Sequence, residues 1–110
     1  MLFTYGGHLT ADVVPFVDAS VDRVLKAGLR PRFFVDLEQV SSYDSEYRQA
    51  IKAWGLRVDR EVAGWFFLVR SRLVAMGVTF STMWAQSPVK ATAERSEFEA
   101  ELQAAARRGA

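Results

Sequence analysis

Short runs of strand-forming residues alternate along this chain with longer segments of helical period, and this alternation is the strongest constraint on its fold. Four runs rich in aromatic and β-branched residues lie at 2–5, 32–37, 65–69 and 88–92, and a helical segment follows each of them. Because parallel strands need a long crossover between them, this order favours a parallel sheet covered by helices. The 110 residues contain no linker and no internal repeat. We therefore predict a single α/β domain over residues 1–110, with a mostly parallel sheet of about four strands and about four helices.

Two segments in the first half of the chain carry apolar stripes at the three- and four-residue steps of a helix. The first stripe comprises Val13, Val14, Val17, Val21, Val24 and Leu25, and the second comprises Tyr43, Tyr47, Ala50, Ile51, Trp54 and Val58. Thr10 or Asp12 is expected to cap the first helix, and Gly28 is expected to end it. In the second helix, Arg48 and Lys52 are predicted to face away from the core.

Two further helices are predicted in the second half. Ser71 is expected to cap a third helix, which is apolar almost all round from 73 to 84. Such a helix is buried, dimerised or in contact with an apolar ligand, and burial in the core is the interpretation we favour. In the fourth helix, Ser96 and Glu99 have the spacing of a capping box, and Gly109 is expected to end it. Its core-facing residues are predicted to be Phe98, Leu102 and Ala105.

The strand runs also predict where the functional loops lie. Gly6 and Gly7 are expected to end the first strand, which places His8 in a turn. The run RFFVDL at 32–37 has the composition of a strand buried on both faces, so we place it centrally in the sheet, with a serine-rich turn after it. Parallel sheets bind ligands at the carboxyl ends of their strands. The loops that follow Leu37, Val69 and Thr92 are therefore where function is sought.

Composition excludes several classes of protein. There is no cysteine, which removes thiol catalysis, thiolate metal sites and disulfides, and is compatible with a cytoplasmic location. Fourteen basic and thirteen acidic side chains give a net charge of +1, far from that of a dedicated nucleic-acid-binding protein. The most apolar stretch, residues 73–85, is shorter than the about 20 residues that a membrane span needs. The first ten residues do not have the pattern of a signal peptide.

No signature of catalysis is present, and we predict that the protein is not an enzyme and needs no cofactor. His8 is the only histidine, and a lone histidine of this kind is usually a surface residue. No G-x-S-x-G motif is present to place a nucleophilic serine, and the glycine pair before His8 lacks the spacing of a phosphate loop. Asp36, Glu38 and Asp44 could at most hold a hard cation weakly.

The stretch FVDLEQVSSYDSE at 34–46, the apolar strand after it, SRLVAMGVTFSTMW at 71–84 and VKATAERSEFEAEL at 89–102 together resemble the STAS domains. The resemblance is to the small stand-alone bacterial proteins of the anti-sigma-factor-antagonist type, and it covers about residues 9–104. It implies a mixed sheet of four or five strands with helices packed against it, and a non-catalytic role in binding proteins, or sometimes nucleotides or lipids. STAS domains usually place a pair of strands before the first helix. Only one is evident here, so one sheet edge is expected to be open and a homodimer is plausible.

The resemblance also suggests a site. In phospho-switched STAS proteins the strand ends in Asp-Leu, as at Asp36, and Asp-Ser-Ser then opens the next helix. Here Asp44 and Ser45 match the first two positions of that motif, and Glu46 occupies the place of the phosphorylated serine. Glutamate has no hydroxyl, and its charge only partly imitates the about −1.5 to −2 of a phosphate. The usual switch is therefore not expected, unless Ser45 or Ser42 has taken it over.

Two functional hypotheses follow. The first is a regulatory module that binds a protein partner through Ser41, Ser42, Asp44, Ser45 and Glu46, with Arg70 and Arg72 beside them. The same polar residues also suit a helix start, where short side chains and acids bind free amides. The alternative is a small-ligand or lipid binder, in which an apolar groove near the third helix holds a lipid tail while Arg70 and Arg72 meet an anionic head.

Overall fold

Four parallel strands form one sheet in which sequence order and spatial order agree. The computed structural model describes residues 1–108. The strands are β1 (Leu2–Leu9), β2 (Arg32–Tyr43), β3 (Gly64–Leu68) and β4 (Val89–Thr92), and the helices are α1 (Val14–Lys26), α2 (Ser45–Val58), α3 (Arg72–Ser81) and α4 (Arg95–Arg107). The sheet order is β1-β2-β3-β4, and every neighbouring pair is parallel. The predicted α/β domain is confirmed, and within residues 1–108 its sheet is wholly parallel rather than mixed.

The two faces of the sheet carry separate cores. On one face, α1 and α2 pack against the sheet through the buried residues Val17, Val21, Phe33, Trp54, Val58, Val62 and Trp65. On the other face, α4 packs through Phe34, Phe66, Leu68, Phe98 and Ala105. Successive residues of a strand point to opposite faces, so adjacent aromatic residues such as Phe33 and Phe34 serve both cores. This confirms that β2 is a central strand buried on both sides.

Both N-terminal strands are longer than the sequence predicts. β1 continues through its glycines to Leu9, and β2 continues through the serines to Tyr43. The extra residues pair with one another, Gly6 with Gln39 and His8 with Ser42, across two shifts of register. Gly7 has a φ of +68°, a conformation that glycine adopts without strain. The predicted serine-rich turn is therefore the end of a strand, and His8 lies in a strand rather than a turn.

The helix ends test the predicted caps. Asp44 accepts a hydrogen bond from the Tyr47 amide at 2.7 Å, and Ser71 accepts one from the Val74 amide at 3.2 Å. The cap at Ser71 is thus confirmed, and Gly28, with a φ of +80°, follows α1 as expected. A short 3₁₀ turn (Ala11–Val13) precedes α1, and neither helical start has a side-chain cap, so the predicted cap by Thr10 or Asp12 is wrong.

The start of α4 differs from its prediction as well. The helix begins at Arg95, one residue before the serine of the proposed capping box, and its N-cap residue Glu94 forms no side-chain cap bond. Thr92 organises this turn instead, because its hydroxyl accepts the Glu94 amide at 3.0 Å and donates to Glu97 at 3.0 Å. The predicted end at Gly109 lies outside the described residues.

Candidate functional site

The residues predicted to bind a partner lie at the carboxyl ends of β2 and β3. Arg70, just after β3, donates a hydrogen bond of 3.5 Å to the carbonyl oxygen of Ser41 at the end of β2. The members of the predicted surface are Ser41, Ser42, Asp44, Ser45, Glu46, Arg70 and Arg72, and all but the half-buried Asp44 are exposed. The fold therefore places them on one accessible side, as expected from the ends of parallel strands.

Asp44 has a structural role in this group. Its carboxylate caps α2 by accepting the Tyr47 amide, which satisfies one of the free amides at the helix start. Ser45 and Glu46 follow in the first turn with exposed side chains. The helix-start interpretation thus accounts for Asp44 and leaves Ser45 and Glu46 available to a partner.

A large apolar cavity opens beside this surface, on the face of the sheet that α1 and α2 cover. Its volume is about 1060 Å³, just above the roughly 300–1,000 Å³ typical of small-molecule sites. The sheet contributes Phe3, Tyr5, Val35, Leu37 and Phe67, α2 contributes Tyr47, Ile51 and Trp54, and α3 contributes Val74, Gly77 and Val78. Since this wall, built by the sheet with α2 and α3, is mostly apolar, it can hold the apolar body of a ligand.

The charges around this cavity all have one sign. Among residues 1–108, Arg48, Lys52 and Arg70 are its only charged lining residues, and no aspartate or glutamate of this range lines it. None of the three cations is in a salt bridge within residues 1–108. Arg48 and Lys52 are exposed, as predicted, and they also line the cavity. Their place beside the cavity could have been inferred from the sequence. The two residues are four apart and adjacent to Tyr47 and Ile51, so they lie on one side of the helix.

Tyr5 and Tyr47 line the cavity, and burial affects both phenols. Burial, with the nearby Tyr43 adding to it, raises the pKa of Tyr47 to about 12. Burial, with Tyr47 adding to it, also raises the pKa of Tyr5 well above its usual value. Both phenols are therefore neutral at physiological pH, and each hydroxyl is a hydrogen-bond donor that a ligand can use. Sequence analysis treated Tyr47 as a core residue and gave Tyr5 no role.

The helix that closes the cavity is not buried, contrary to the favoured prediction. No residue of α3 is buried. Val74, Gly77 and Val78 face the cavity, whereas Leu73, Met76 and Phe80 are largely exposed to solvent. The apolar composition that predicted burial reflects two apolar faces, one toward the cavity and one toward solvent.

A serine–histidine pair lies at the rim of the cavity. His8 Nδ1 is 2.7 Å from the Ser42 hydroxyl oxygen, and Ser42 is a lining residue. A nucleophilic serine needs a base that a third group orients. Within residues 1–108 no carboxylate hydrogen-bonds to His8, and Ser42 lies in a strand rather than on a strained turn. The pair joins the ends of β1 and β2 and lacks the other parts of a hydrolase site.

The carboxylates considered as cation ligands are used elsewhere. Asp36 and Glu38 point to the α4 side, where Arg95 bonds to both, at 2.8 and 2.9 Å, and also to Glu99 at 3.1 Å. Hydrogen bonds to Asp36, Glu38 and Glu99 raise the pKa of Arg95. No cluster of three potential metal ligands occurs within the described part of the chain. These acids hold α4 to the sheet.

Comparison with solved structures identifies the class of fold. A crystal structure of an uncharacterized protein of the DUF3478 family from Shewanella loihica PV-4, with a SpoIIAA-like fold, superposes with a TM-score of 0.76. The sequences are 13% identical, and the match covers 92% of this chain and 82% of that chain. The chain therefore has a SpoIIAA-like fold, the fold of the STAS domains, and the resemblance seen in the sequence is confirmed at the level of the fold.

Sequence comparisons add nothing to this assignment. No protein-family model matches the chain, and no curated protein matches it. Among the helices of residues 1–108, none is both long and apolar enough to serve as a membrane span.

Proposed function

We propose that the protein is a non-catalytic binding module that holds an amphipathic anion, with the apolar body of the ligand in the cavity beneath α3. The observation that carries the proposal is the lining of this cavity, which is mostly apolar and, in the described part of the chain, includes three cations and no acid. The anionic head would lie at Arg48, Lys52 and Arg70. A fatty acid or a related single-chain lipid has this chemistry.

The driving force is the removal of apolar surface from water. Each Å² of apolar surface buried contributes roughly 25 cal/mol, and an alkyl chain carries no polar groups that must be matched. The unpaired cations at the rim would then select an anionic head over a neutral one, because a charge-assisted hydrogen bond is stronger than a neutral one. Tyr5 and Tyr47 supply neutral donors further inside.

Gly77 offers a direct test of where the ligand lies. Gly77 lines the cavity, and a Cβ built at this residue has no neighbour within 4 Å, so a larger side chain can be added at the cavity wall without a clash. We expect Gly77→Leu to reduce binding of the fluorescent fatty acid cis-parinaric acid at least about tenfold, because the new side chain occupies space that the chain of the ligand needs. Gly77→Ala is the matched control, since it adds one methyl group and should bind nearly as well as the wild-type protein. Equal binding by all three proteins, or none by the wild-type protein, contradicts the proposal.

The head-group assignment has its own test. Arg48→Gln/Lys52→Gln should weaken binding of palmitate and leave binding of hexadecanol, its neutral analogue, nearly unchanged. The exposed C-terminal pair Arg107→Gln/Arg108→Gln removes the same charge elsewhere and should affect neither ligand. Mass spectrometry of the gently purified protein would then show which amphipathic anion it carries from the cell.

A second candidate function is the binding of a protein partner through Ser41, Ser42, Ser45 and Glu46. The exposure of this segment at the carboxyl end of β2 favours it, and the STAS resemblance implies the same role. Glu46→Arg is the informative substitution, because a change at Asp44 also removes the cap of α2. Capture from native lysate should lose the partner with Glu46→Arg and keep it with the control Glu61→Arg. If Glu46→Arg retains the partners of the wild-type protein, this surface is not the interface.

Homodimerisation through the open edge of the sheet remains a prediction. β1 is the edge strand next to β2, and it is eight residues long. Unpaired backbone groups of an edge strand can pair with a second chain. Light scattering at increasing protein concentration tests this, and a mass that stays that of the monomer contradicts it.

A further inference from the structure

The outer face of α3 is an apolar surface on a segment that makes no ion pair within residues 1–108. Its members, which we call the α3 surface, are Leu73, Met76, Phe80 and Met83, with exposed fractions of 78%, 58%, 70% and 75%. They recur at three- and four-residue steps, so they lie along one side of the helix and the turn after it. Phe80 and Met83 also reach the edge of the cavity. The surface and the cavity are therefore continuous.

The stretch of sequence that contains the α3 surface carries only positive charge. Between Glu61 and Glu94 the sequence contains no acidic residue, and its cations are Arg70, Arg72 and Lys90. Lys90 is paired with Glu97 and Glu101 of α4. Arg70 and Arg72, at the start of α3, are exposed and in no salt bridge within the described chain.

We propose that the α3 surface, together with Arg70 and Arg72, docks on an anionic lipid bilayer. A helix that presents large apolar side chains beside basic ones binds in the interfacial region of a membrane, where the apolar side chains enter the acyl boundary and the basic ones meet anionic head groups. The open cavity lies directly behind this helix. The inference goes beyond the proposed function and does not need the cavity to be filled.

Charge argues against a second copy of this chain as the occupant. If two α3 surfaces packed on each other, each would bring Arg70 and Arg72 to a surface whose sequence offers no carboxylate between Glu61 and Glu94. Cations buried at an interface without an acidic partner oppose association. An anionic membrane supplies the missing charge.

Vesicle flotation tests the proposal. The wild-type protein should float with vesicles of phosphatidylcholine and phosphatidylglycerol, and much less with vesicles of phosphatidylcholine alone. Leu73→Gln/Phe80→Gln should weaken binding at least about tenfold, because two large side chains no longer gain from burial. Arg70→Gln/Arg72→Gln should weaken it by on the order of tenfold, and added salt should weaken binding of the wild-type protein as well.

Phe16 and Leu29 provide a matched control, since they are 76% and 61% exposed and lie at the two ends of α1. Phe16→Gln/Leu29→Gln should float like the wild-type protein. The proposal is overturned by a wild-type protein that does not float with anionic vesicles, by equal flotation with neutral vesicles, or by a loss in the control Phe16→Gln/Leu29→Gln as large as that in Leu73→Gln/Phe80→Gln. A dimer that Leu73→Gln/Phe80→Gln converts to a monomer would assign the surface to a second copy and would also overturn it.

Discussion

The helices α3 and α4 flank β4 in the sequence and cover opposite faces of the sheet, yet they are held in opposite ways. α4 buries Phe98 to 1% exposure against Phe34 and Phe66, at ring-centroid distances of 5.8 and 5.4 Å. It also anchors Arg95 to Asp36 of β2. α3 buries no residue, forms no ion pair within residues 1–108, and has a cavity beneath it.

The difference lies between the two helices rather than the two faces, because α1 and α2 bury a core of their own on the face that α3 covers. Packing of large side chains contributes most of the free energy of folding, whereas exposed ion pairs contribute about 0–1 kcal/mol each. α4 therefore contributes to the stability of the sheet, whereas α3 contributes little and has an open cavity beneath it. Regions with few buried apolar contacts are also those that open locally at the lowest free energy.

Phenylalanine-to-alanine substitutions on the two helices give the largest test of this comparison. Phe98→Ala should lower the free energy of unfolding by about 3–5 kcal/mol, because it leaves a cavity between Phe34 and Phe66. Phe80→Ala removes a ring that is 70% exposed and should change it by less than about 0.5 kcal/mol. Urea unfolding at neutral pH measures both values. Losses of similar size would mean that α3 contributes to the core as much as α4 does.

The sequence predicted the strands and helices because their signals are local. The alternation of period identified all eight elements, and Ser71 was recognised as a cap from its place before an apolar run. The extensions of β1 and β2 could not be predicted in this way. Residues such as Gly6 and Gln39 are strand residues because they pair with each other, and neither has a strong strand propensity of its own.

The candidate site was also predictable from the sequence only in part. The exposure of Ser45 and Glu46 follows from their place at a helix start, so that surface was predictable. The cavity near the third helix was one of two interpretations that the sequence left open, because an apolar helix has the same sequence whether it packs on a core or spans a void. Only the tertiary arrangement brings Arg48 and Arg70 to one rim, and only packing distinguishes the outer face of α3 from its inner face.

The next test uses Asp59, whose carboxylate binds the segment that follows α3. Its carboxylate is 4% exposed and accepts hydrogen bonds from the Gln86 amide at 2.7 Å, from Trp65 Nε1 at 3.1 Å and from the Ser87 hydroxyl. Asp59→Ala should cost about 1–3 kcal/mol, since it leaves buried donors without their acceptor. In hydrogen exchange the loss should appear in α3 and in the turn after it before α4. Equal loss of protection in both helices would contradict the difference between α3 and α4.

The same carboxylate predicts a dependence on pH. Burial acts to raise the pKa of Asp59, but hydrogen bonds from Ser87, Gln86 and Trp65 outweigh it and hold the pKa below the usual 3.8. The folded state thus binds this proton less readily than the unfolded state does. The contribution to stability is present above about pH 3.8 and is lost as the pH falls through the lower pKa of the folded state. Asp59→Asn should show a shallower loss of stability in this acid range than the wild-type protein, and parallel curves would contradict the assignment.

Two glycine-to-alanine substitutions, at Gly77 of α3 and at Gly55 of α2, compare a position with open space around it with a position that Trp84 fills. At Gly77 a Cβ meets nothing within 4 Å, whereas at Gly55 of α2 it would lie 2.7 Å from the ring of Trp84, which follows α3. Gly77→Ala should raise stability by about 1 kcal/mol through helix propensity. Gly55→Ala gains the same propensity but must displace Trp84, so it should be neutral or destabilising by about 1 kcal/mol. Thermal unfolding measures the order of the two variants, and the reverse order would show that the space beneath α3 is not open.

The cap of α3 is expected to affect the stability of the helix and hardly that of the whole protein. Ser71→Ala removes the acceptor of the Val74 amide and should cost about 0.5–1 kcal/mol of helix stability. If α3 opens while the rest of the domain stays folded, this loss appears as faster amide exchange in α3, and the urea midpoint of the whole protein barely moves. A drop of the full amount in the global free energy of unfolding would instead show that α3 unfolds together with α4.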